Sequence, residues 1–382
     1  MKMIGNFFDK LRPLFEGKDA RLAPLYPVFE AMEAFVFLGV RRTPGPPHVR
    51  DAAETKRYMS AVIVALAPLY LFGLLLFGPR LILMTAVSYT FGGIVECIFA
   101  VIRKEEINEG FLVTGLIFPM VLPPGTPLWM VGLGIAFGVF FGKEVFGGTG
   151  HNIFNPALVG RCFVTVSWPA RLAKAFFLPG AWLDAVKADG VKALVHPGTD
   201  ALTSATPLAE VNELLQSSAA PIGDPQTLWN YYTGFIPGSA CETSTILILV
   251  CGAFLCWTKV ANWRTPVSIL LSYIAVGTVL SLPGLGGKSF APPWVGLGIG
   301  GLLFGAFYMA TDPVSSPVSN AGKWIYGALI GLLVLLFRGL GAVPEGMTYA
   351  ILLMNMFAPL IDRQIIQASV PKPLPMEETS NE

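Results

Sequence analysis

The stretch Tyr58-Met-Ser-Ala-Val-Ile-Val-Ala-Leu-Ala-Pro-Leu-Tyr-Leu-Phe-Gly-Leu-Leu-Leu-Phe-Gly-Pro79 contains no charged residue. Crossing the hydrocarbon core of a bilayer takes about 20 apolar residues in a helix. This run is long enough, so it reads as a transmembrane helix and names the solvent for the rest of the chain. The whole composition agrees. Of 382 residues, 53% are hydrophobic and 13% charged, and the mean hydropathy is +0.61. A soluble domain carries about 25% charged residues, so this chain lacks the polar surface for a water-soluble fold. The formal net charge of +1 gives no support for nucleic-acid binding through bulk charge.

Working outward, Leu81–Ile102 qualifies as a second pass, interrupted only by Glu96 and followed by Arg103-Lys104. Phe111–Gly142 is again uncharged and is broken by Pro123-Pro-Gly-Thr-Pro127, which reads as two passes joined by an outside turn. Ile153–Trp168, Thr243–Trp257, Thr265–Pro283, Pro293–Ala310, Trp324–Phe337 and Thr348–Ile361 complete about ten passes. The expected fold is therefore an all-α integral membrane protein with interrupted helices. Residues 1–57 carry ten Lys/Arg against seven acids, which makes them a cytoplasmic arm by the positive-inside rule. The first long apolar run begins near Tyr58, too far in and too long for a signal segment. Residues 171–230 hold four Lys/Arg and six Asp/Glu and read as a periplasmic loop; residues 363–382 read as a cytoplasmic tail.

An echo divides what lies between. Trp129-Met-Val-Gly-Leu-Gly-Ile135 recurs as Trp294-Val-Gly-Leu-Gly-Ile299, roughly 164 residues on, and each copy precedes an Asn/Pro-containing break. Five passes per half, 58–170 and 231–362, make two inverted repeats, an arrangement that puts sites where helices are interrupted. Similar Gly spacing also arises from small-residue packing between helices.

Charge inside a bilayer costs about 2.5–3.5 kcal/mol on insertion scales, so each such residue needs a reason. Glu96 lies in mid-helix after Gly92-Gly93, Arg161 follows Asn152, Asn155 and Pro156, Glu242 lies in Gly238-Ser-Ala-Cys-Glu-Thr-Ser244, and Asp312 and Asp362 follow later. Glu96 requires protonation, a partner or a cation; for Lys143, Glu144 and Asp362 a place at the membrane interface is the simpler expectation. Five cysteines without a CxxC pair and three scattered histidines argue against a zinc or iron–sulfur centre built by this chain alone. The stretch Gly142 to Gly147-Gly-Thr-Gly150 lacks a Lys and Ser at the spacing of a phosphate-binding loop, and no hydrolase signature occurs.

Asp200-Ala-Leu-Thr-Ser-Ala-Thr206-Pro-Leu208 resembles the flavinylation motif of a membrane-subunit family shared by two ion-pumping redox complexes, the sodium-translocating NADH:quinone reductase and the Rnf complex. Asn108-Glu-Gly-Phe-Leu-Val-Thr114, Gly142-Lys-Glu-Val-Phe-Gly-Gly-Thr-Gly150 with Asn155-Pro-Ala157, Gly238-Ser with Glu242-Thr-Ser244, Met309-Ala-Thr-Asp-Pro-Val314 and Pro344-Glu-Gly-Met347 are similar to the same family, in order. The polar arm with His48-Val-Arg-Asp51 resembles the quinone-reductase branch.

That resemblance implies FMN joined covalently through phosphate to Thr206, a riboflavin near Asn152 and Asn155, ubiquinone as substrate near Gly92 and Gly93, and a sodium path using Glu96 and Asp362. It further implies a six-subunit complex in a bacterial inner membrane. The expected partners are a second flavinylated subunit, an NADH-oxidising flavoprotein and a flavin transferase. Two other readings stand beside it: an Rnf-type subunit moving electrons between ferredoxin and NAD, and a secondary transporter without a cofactor.

Overall fold

The computed structural model describes residues 13, 55–104, 110–189, 206–208, 210–211, 225–282, 290–340 and 345–369. Among them regular structure is helical, with no β-strand. Of the cytoplasmic arm expected at 1–57 and the tail expected at 363–382, residues 1–54 (apart from residue 13) and 370–382 lie outside the described residues, as does most of 190–224.

Among the described residues, the first half of the chain forms seven α-helices of very different length: α1 (Thr55–Phe77), α2 (Arg80–Arg103), α3 (Gly110–Met120), α4 (Leu128–Gly142), α5 (Pro156–Ser167), α6 (Pro169–Ala173) and α7 (Ala181–Asp189). After the loop come α8 (Pro225–Thr233), α9 (Thr245–Trp257), α10 (Arg264–Leu280), α11 (Pro293–Gly298), α12 (Leu302–Phe304), a π-helical turn Gly305–Met309, α13 (Asn320–Leu340) and α14 (Met347–Ser369). Five of these helices are long and apolar enough to cross a membrane, and four shorter apolar helices lie among them. Large apolar side chains such as Leu75, Val250 and Trp257 remain exposed on the outside, where lipid replaces water. This is a multi-pass membrane protein. Among the described residues, five helices have full spanning length and the other apolar segments form shorter helices.

Two interruptions carry the architecture. Helix α3 has 11 residues, about 16 Å at 1.5 Å per residue, against a hydrocarbon core of about 30 Å. The Pro-rich segment after it, which reads from the sequence as an outside turn, is packed within the protein: Val121 to Thr126 are buried. A buried break frees backbone carbonyls that no water can reach, and each must find a donor. Arg80 supplies two, with Nε donating to Pro124 O at 2.9 Å and Nη2 to Thr126 O at 2.8 Å. The loop before α9 supplies two more, Ala240 N to Leu122 O and Cys241 N to Met120 O, each at 3.0 Å.

The second interruption splits what reads as one pass, Pro293–Ala310, at Ile299–Gly301. Gly300 sits at φ +71, which only glycine adopts without strain, and ends α11. Here Arg338 of α13 donates to Gly296 O at 2.8 Å and Ile299 O at 3.2 Å. Each break is thus closed by one buried arginine from a long helix. The two copies of the Trp-Gly echo open helices in the same way, after Pro127 (φ −57, ψ 137) and Pro292 (φ −53, ψ 137), and diverge only where the second copy breaks.

Helices α4 and α5 meet backbone to backbone. A Cβ on Gly138 would lie 2.4 Å from Pro156 O, and one on Gly160 would lie 2.6 Å from Gly134 O. Because those neighbours are main chain, they cannot swing aside. A Gly160→Val substitution is expected to force the helices apart and destabilise the fold by at least the about 1–3 kcal/mol typical of overpacking. Fluorescence-detected size exclusion after a heating series would read this as a lowered melting point, whereas Val on the neighbouring exposed surface would leave it unchanged.

Candidate functional site

Thr206 is half-buried and stands immediately before a helical turn that begins at Pro207, with Glu210 N donating to Thr206 O at 3.0 Å. Proline is well placed there, since the first helical residue has no use for its N–H. Leu208 and Val211, one helical turn apart in this segment, are buried in a small apolar cluster with Tyr231, Ile236, Val295 and Ile299. That cluster fastens the loop to α8 and to the end of α11, and so fixes Thr206 beside the second interruption.

Thr206 lines a cavity of about 480 Å³. Its walls come from distant parts of the chain: Arg161 and Thr165 of α5, Ser239, Glu242 and Thr243 before α9, Gly300 and Gly301 at the break, and Glu345, Thr348 and Tyr349 at the start of α14. Small-molecule sites are generally about 300–1,000 Å³.

A buried charge cluster forms one wall. Arg161 grips Glu242 with both ends of its guanidinium, Nη1 to Oε1 at 2.9 Å and Nη2 to Oε2 at 3.2 Å. The same Nη2 reaches Ser239 Oγ at 3.3 Å and pairs with Glu345 Oε2. Arg161 and Glu242 side chains are 7% and 4% exposed, so this is an interior network. Bidentate pairing is the geometry in which arginine is strongest. One cation here faces two carboxylates.

The wall also holds polar atoms without partners. Of nine buried side-chain N or O atoms that make no hydrogen bond among the described residues, three belong to cavity-lining residues: Thr243 Oγ1, Glu345 Oε1 and Thr348 Oγ1. An unpaired buried polar group costs about 1–3 kcal/mol, so three in residues lining one void are an uncompensated cost concentrated at this wall.

A second, smaller cavity of about 90 Å³ lies at the other end of α5, lined by Asn152, Asn155, Lys143, Tyr58, Tyr308 and Asp312 among others. Asn152 and Asn155 come together as the sequence implies, but both carboxamides are engaged. Asn155 Oδ1 caps α5, accepting from Ala157 N at 3.0 Å and Leu158 N at 3.4 Å, and Asn152 Nδ2 donates to Phe154 O at 3.0 Å. As it stands this cavity is too small for a flavin ring. Helix α5, 12 residues or about 18 Å long, separates the two cavities.

Glu96 is not a lone carboxylate. Lys143 Nζ lies 2.7 Å from its Oε1 and 3.9 Å from Glu144 Oε1, while Arg103 Nη1 lies 2.8 Å from Glu144 Oε2. Lys143 and Glu144, expected at the interface, are buried, because the short 3-10 turn Glu144–Phe146 tucks them under α2. Removing one partner of a buried pair leaves an uncompensated charge and costs about 3–5 kcal/mol. We therefore expect Lys143→Met to lower thermal stability by about that amount, and the double variant Lys143→Met/Glu96→Gln to recover most of it. Equal melting points for the single and double variants would show that the pair does not form.

Asp362 on α14 accepts from Val318 N at 2.6 Å and Ser319 N at 3.1 Å, and from the Ser319 hydroxyl, so it holds the turn that starts α13. Gly92 is buried against α3, and a Cβ there would meet Phe111 at 2.6 Å and Ile135 at 2.9 Å; Gly93 has only Phe111, at 3.5 Å. The notch at Gly92 is thus filled by protein. No group of three or more His, Cys, Asp or Glu is arranged to hold a metal ion among the described residues.

Sequence reasoning does not single out Glu345, Thr243 and Thr348 as site residues. The signal available is Glu345 within Pro344-Glu-Gly-Met347, a charge with no apolar run around it to make it conspicuous.

Fold and site together define a polytopic, all-α membrane protein with interrupted helices, in which a buried charge cluster borders a cavity of about 480 Å³ with a mostly apolar lining. The chain belongs to the NQR2, RnfD, RnfE family, whose model matches residues 42–370. It is 35% identical to the subunit designated B of the Na(+)-translocating NADH-quinone reductase of Yersinia pestis, with 96% of this chain and 98% of that relative covered. The protein of the same description from Ectopseudomonas mendocina is 37% identical, covering 97% and 98%, and that from Azotobacter vinelandii 36%, covering 97% and 99%.

Proposed function

We propose that this chain is the electron-carrying membrane subunit of a sodium-translocating NADH:quinone reductase, with FMN joined through its phosphate to Thr206. The observation that carries this reading is the position of Thr206 on the about 480 Å³ cavity, whose wall holds Arg161, Glu242 and three unpartnered polar atoms. The volume and the donor set both fit a polar aromatic ring tethered at the mouth. Near full-length likeness to membrane subunits described as belonging to that reductase supports the same assignment.

Bound FMN supplies one-electron transfer at potentials the protein tunes. The chain's own part is positioning. Leu208 and Val211 pin the loop, Pro207 stiffens it, and the interruption at Ile299–Gly301 leaves backbone rather than side chains beside the void. Arg161 and its two carboxylates hold fixed charge against the cavity, and burial keeps bulk water from screening it.

On this reading the periplasmic loop is modified by a flavin transferase, electrons arrive from an NADH-oxidising flavoprotein through a second flavinylated subunit, and ubiquinone is reduced on the cytoplasmic side near Gly92 and Gly93. The arm at 1–57 is then cytoplasmic in a bacterial inner membrane, and the two halves, 58–170 and 231–362, are inverted repeats. Glu96 with Lys143, and Asp362, stand on the sodium path. Riboflavin, whose candidate residues Asn152 and Asn155 border the cavity of about 90 Å³, is assigned no step.

The assembled complex, purified with this subunit, tests the reading. NADH oxidation should depend on added ubiquinone and rise at least several-fold when sodium is restored to sodium-free buffer. Equal rates with and without sodium would contradict the pump, and quinone-independent reduction of NAD by ferredoxin would favour the Rnf-type branch.

A further inference from the structure

The cavity wall has a hydrogen-bonding pattern of its own. Thr243 and Thr348 are 3% and 4% exposed, and neither hydroxyl has a partner. Glu345 spends one oxygen on Arg161 and leaves Oε1 without one. All three residues line the cavity. They come from two segments joined by Arg161: Thr243 follows Glu242, and Thr348 lies three residues after Glu345, so the guanidinium that binds both carboxylates holds the set together. A Cβ on Gly301 would sit 2.5 Å from Glu345 Oε1 and 2.8 Å from Glu242 Oε1, so glycine there lets the break pack directly against both carboxylates.

Two hydroxyl donors and one ionised acceptor complement an imide, in which one N–H lies between two carbonyl oxygens. The polar edge of an isoalloxazine is such an imide. We propose that Thr243, Thr348 and Glu345 recognise the imide edge of the ring carried on Thr206. The hydroxyls donate to its carbonyl oxygens and the carboxylate accepts its N–H. This rests on the flavin assignment made above and adds to it the residues that orient the ring and set how readily it takes an electron.

The chemistry gives the three residues opposite signs. Reduction places negative charge on the imide edge, so donors to its carbonyls favour the reduced ring and a neighbouring carboxylate disfavours it. Thr243→Val and Thr348→Val, which keep the side-chain shape, should each lower the reduced-to-oxidised ratio at a fixed potential by about three- to tenfold. Glu345→Gln, which removes the charge, should raise that ratio by about tenfold, or 59 mV for one electron.

The measurement is a potentiometric titration of the covalent flavin, followed by absorbance in the purified complex, with each single variant checked for in-gel fluorescence. Thr265→Val is the control, since its hydroxyl is also buried and unpartnered but lies away from the cavity, and it should leave the titration unchanged. Full labelling with shifts of the two stated signs supports the proposal. Full labelling with unshifted titrations in all three variants, or shifts of one common sign, overturns it while leaving the attachment at Thr206 intact. A wild-type chain without covalent flavin removes the attachment itself, and this inference with it.

Discussion

Replacing Thr206 with valine should eliminate the covalent flavin proposed for this subunit: on a denaturing gel the wild-type chain is expected to fluoresce under ultraviolet light and the Thr206→Val chain is not. The substitution removes only a hydroxyl, and valine keeps the branched shape. The loop is held by Leu208 and Val211 in their own apolar cluster, so the fold around the cavity should be unaffected and the melting point should move by less than about 1 kcal/mol equivalent. Thr206→Ser restores a hydroxyl at the same place and should regain part of the band. The consequence for activity is as large as the experiment can show. With no carrier at this position, quinone-dependent NADH oxidation by the assembled complex should fall to the level of a complex lacking the subunit. A fluorescent band of wild-type intensity in the valine variant would move the attachment elsewhere.

The second large effect is on stability. Arg161→Met leaves Glu242, 4% exposed in its side chain, and Glu345 facing each other without their cation. Breaking a buried ion pair costs about 3–5 kcal/mol, mostly through the charge left behind. Here two carboxylates are left, so the upper part of that range is expected. Because Arg161 sits on α5 while its partners are 81 and 184 residues away, it ties together segments that no local contact joins. The triple variant Arg161→Met/Glu242→Gln/Glu345→Gln removes the stranded charges and should recover much of the loss, since neutral replacements of buried ion networks are often tolerated. Thermal melting of the detergent-solubilised chain separates the cases. A single variant as stable as the wild type would mean that the cluster is not buried as described.

Much of this fold is legible in hydropathy, because a bilayer forces long apolar runs into helices that satisfy their own backbone. The run at Tyr58–Pro79 becomes α1, and Leu81–Ile102 becomes α2 almost to the residue. The interruptions are legible only in part. Prolines 123, 124 and 127 announce the first break, but nothing local says that it is buried, since that depends on Arg80 and on Ala240 and Cys241 arriving with donors. The second break has no such signal, because Gly298-Ile-Gly-Gly301 reads equally well as helix packing.

The site divides along the same line. Thr206 carries a local motif, and it lines the cavity of about 480 Å³. The ion pairs are invisible as pairs. Glu96 and Lys143 are 47 residues apart, and Arg161 and Glu345 are 184 apart. Sequence says only that each charge needs a partner, and tertiary packing chooses it. The contacts of Asp362 are equally invisible: it accepts from the backbone N–H groups of Val318 and Ser319, 44 and 43 residues away.

Whether this chain carries its redox group on Thr206 is tested most directly by mass analysis of its peptides, after purification from cells that also express the flavin transferase. The peptide containing Thr206 should bear the added mass of FMN less one water, with the fragment series placing it on that residue. An unmodified Thr206 peptide at full recovery, or the same added mass on any other residue, would contradict the assignment.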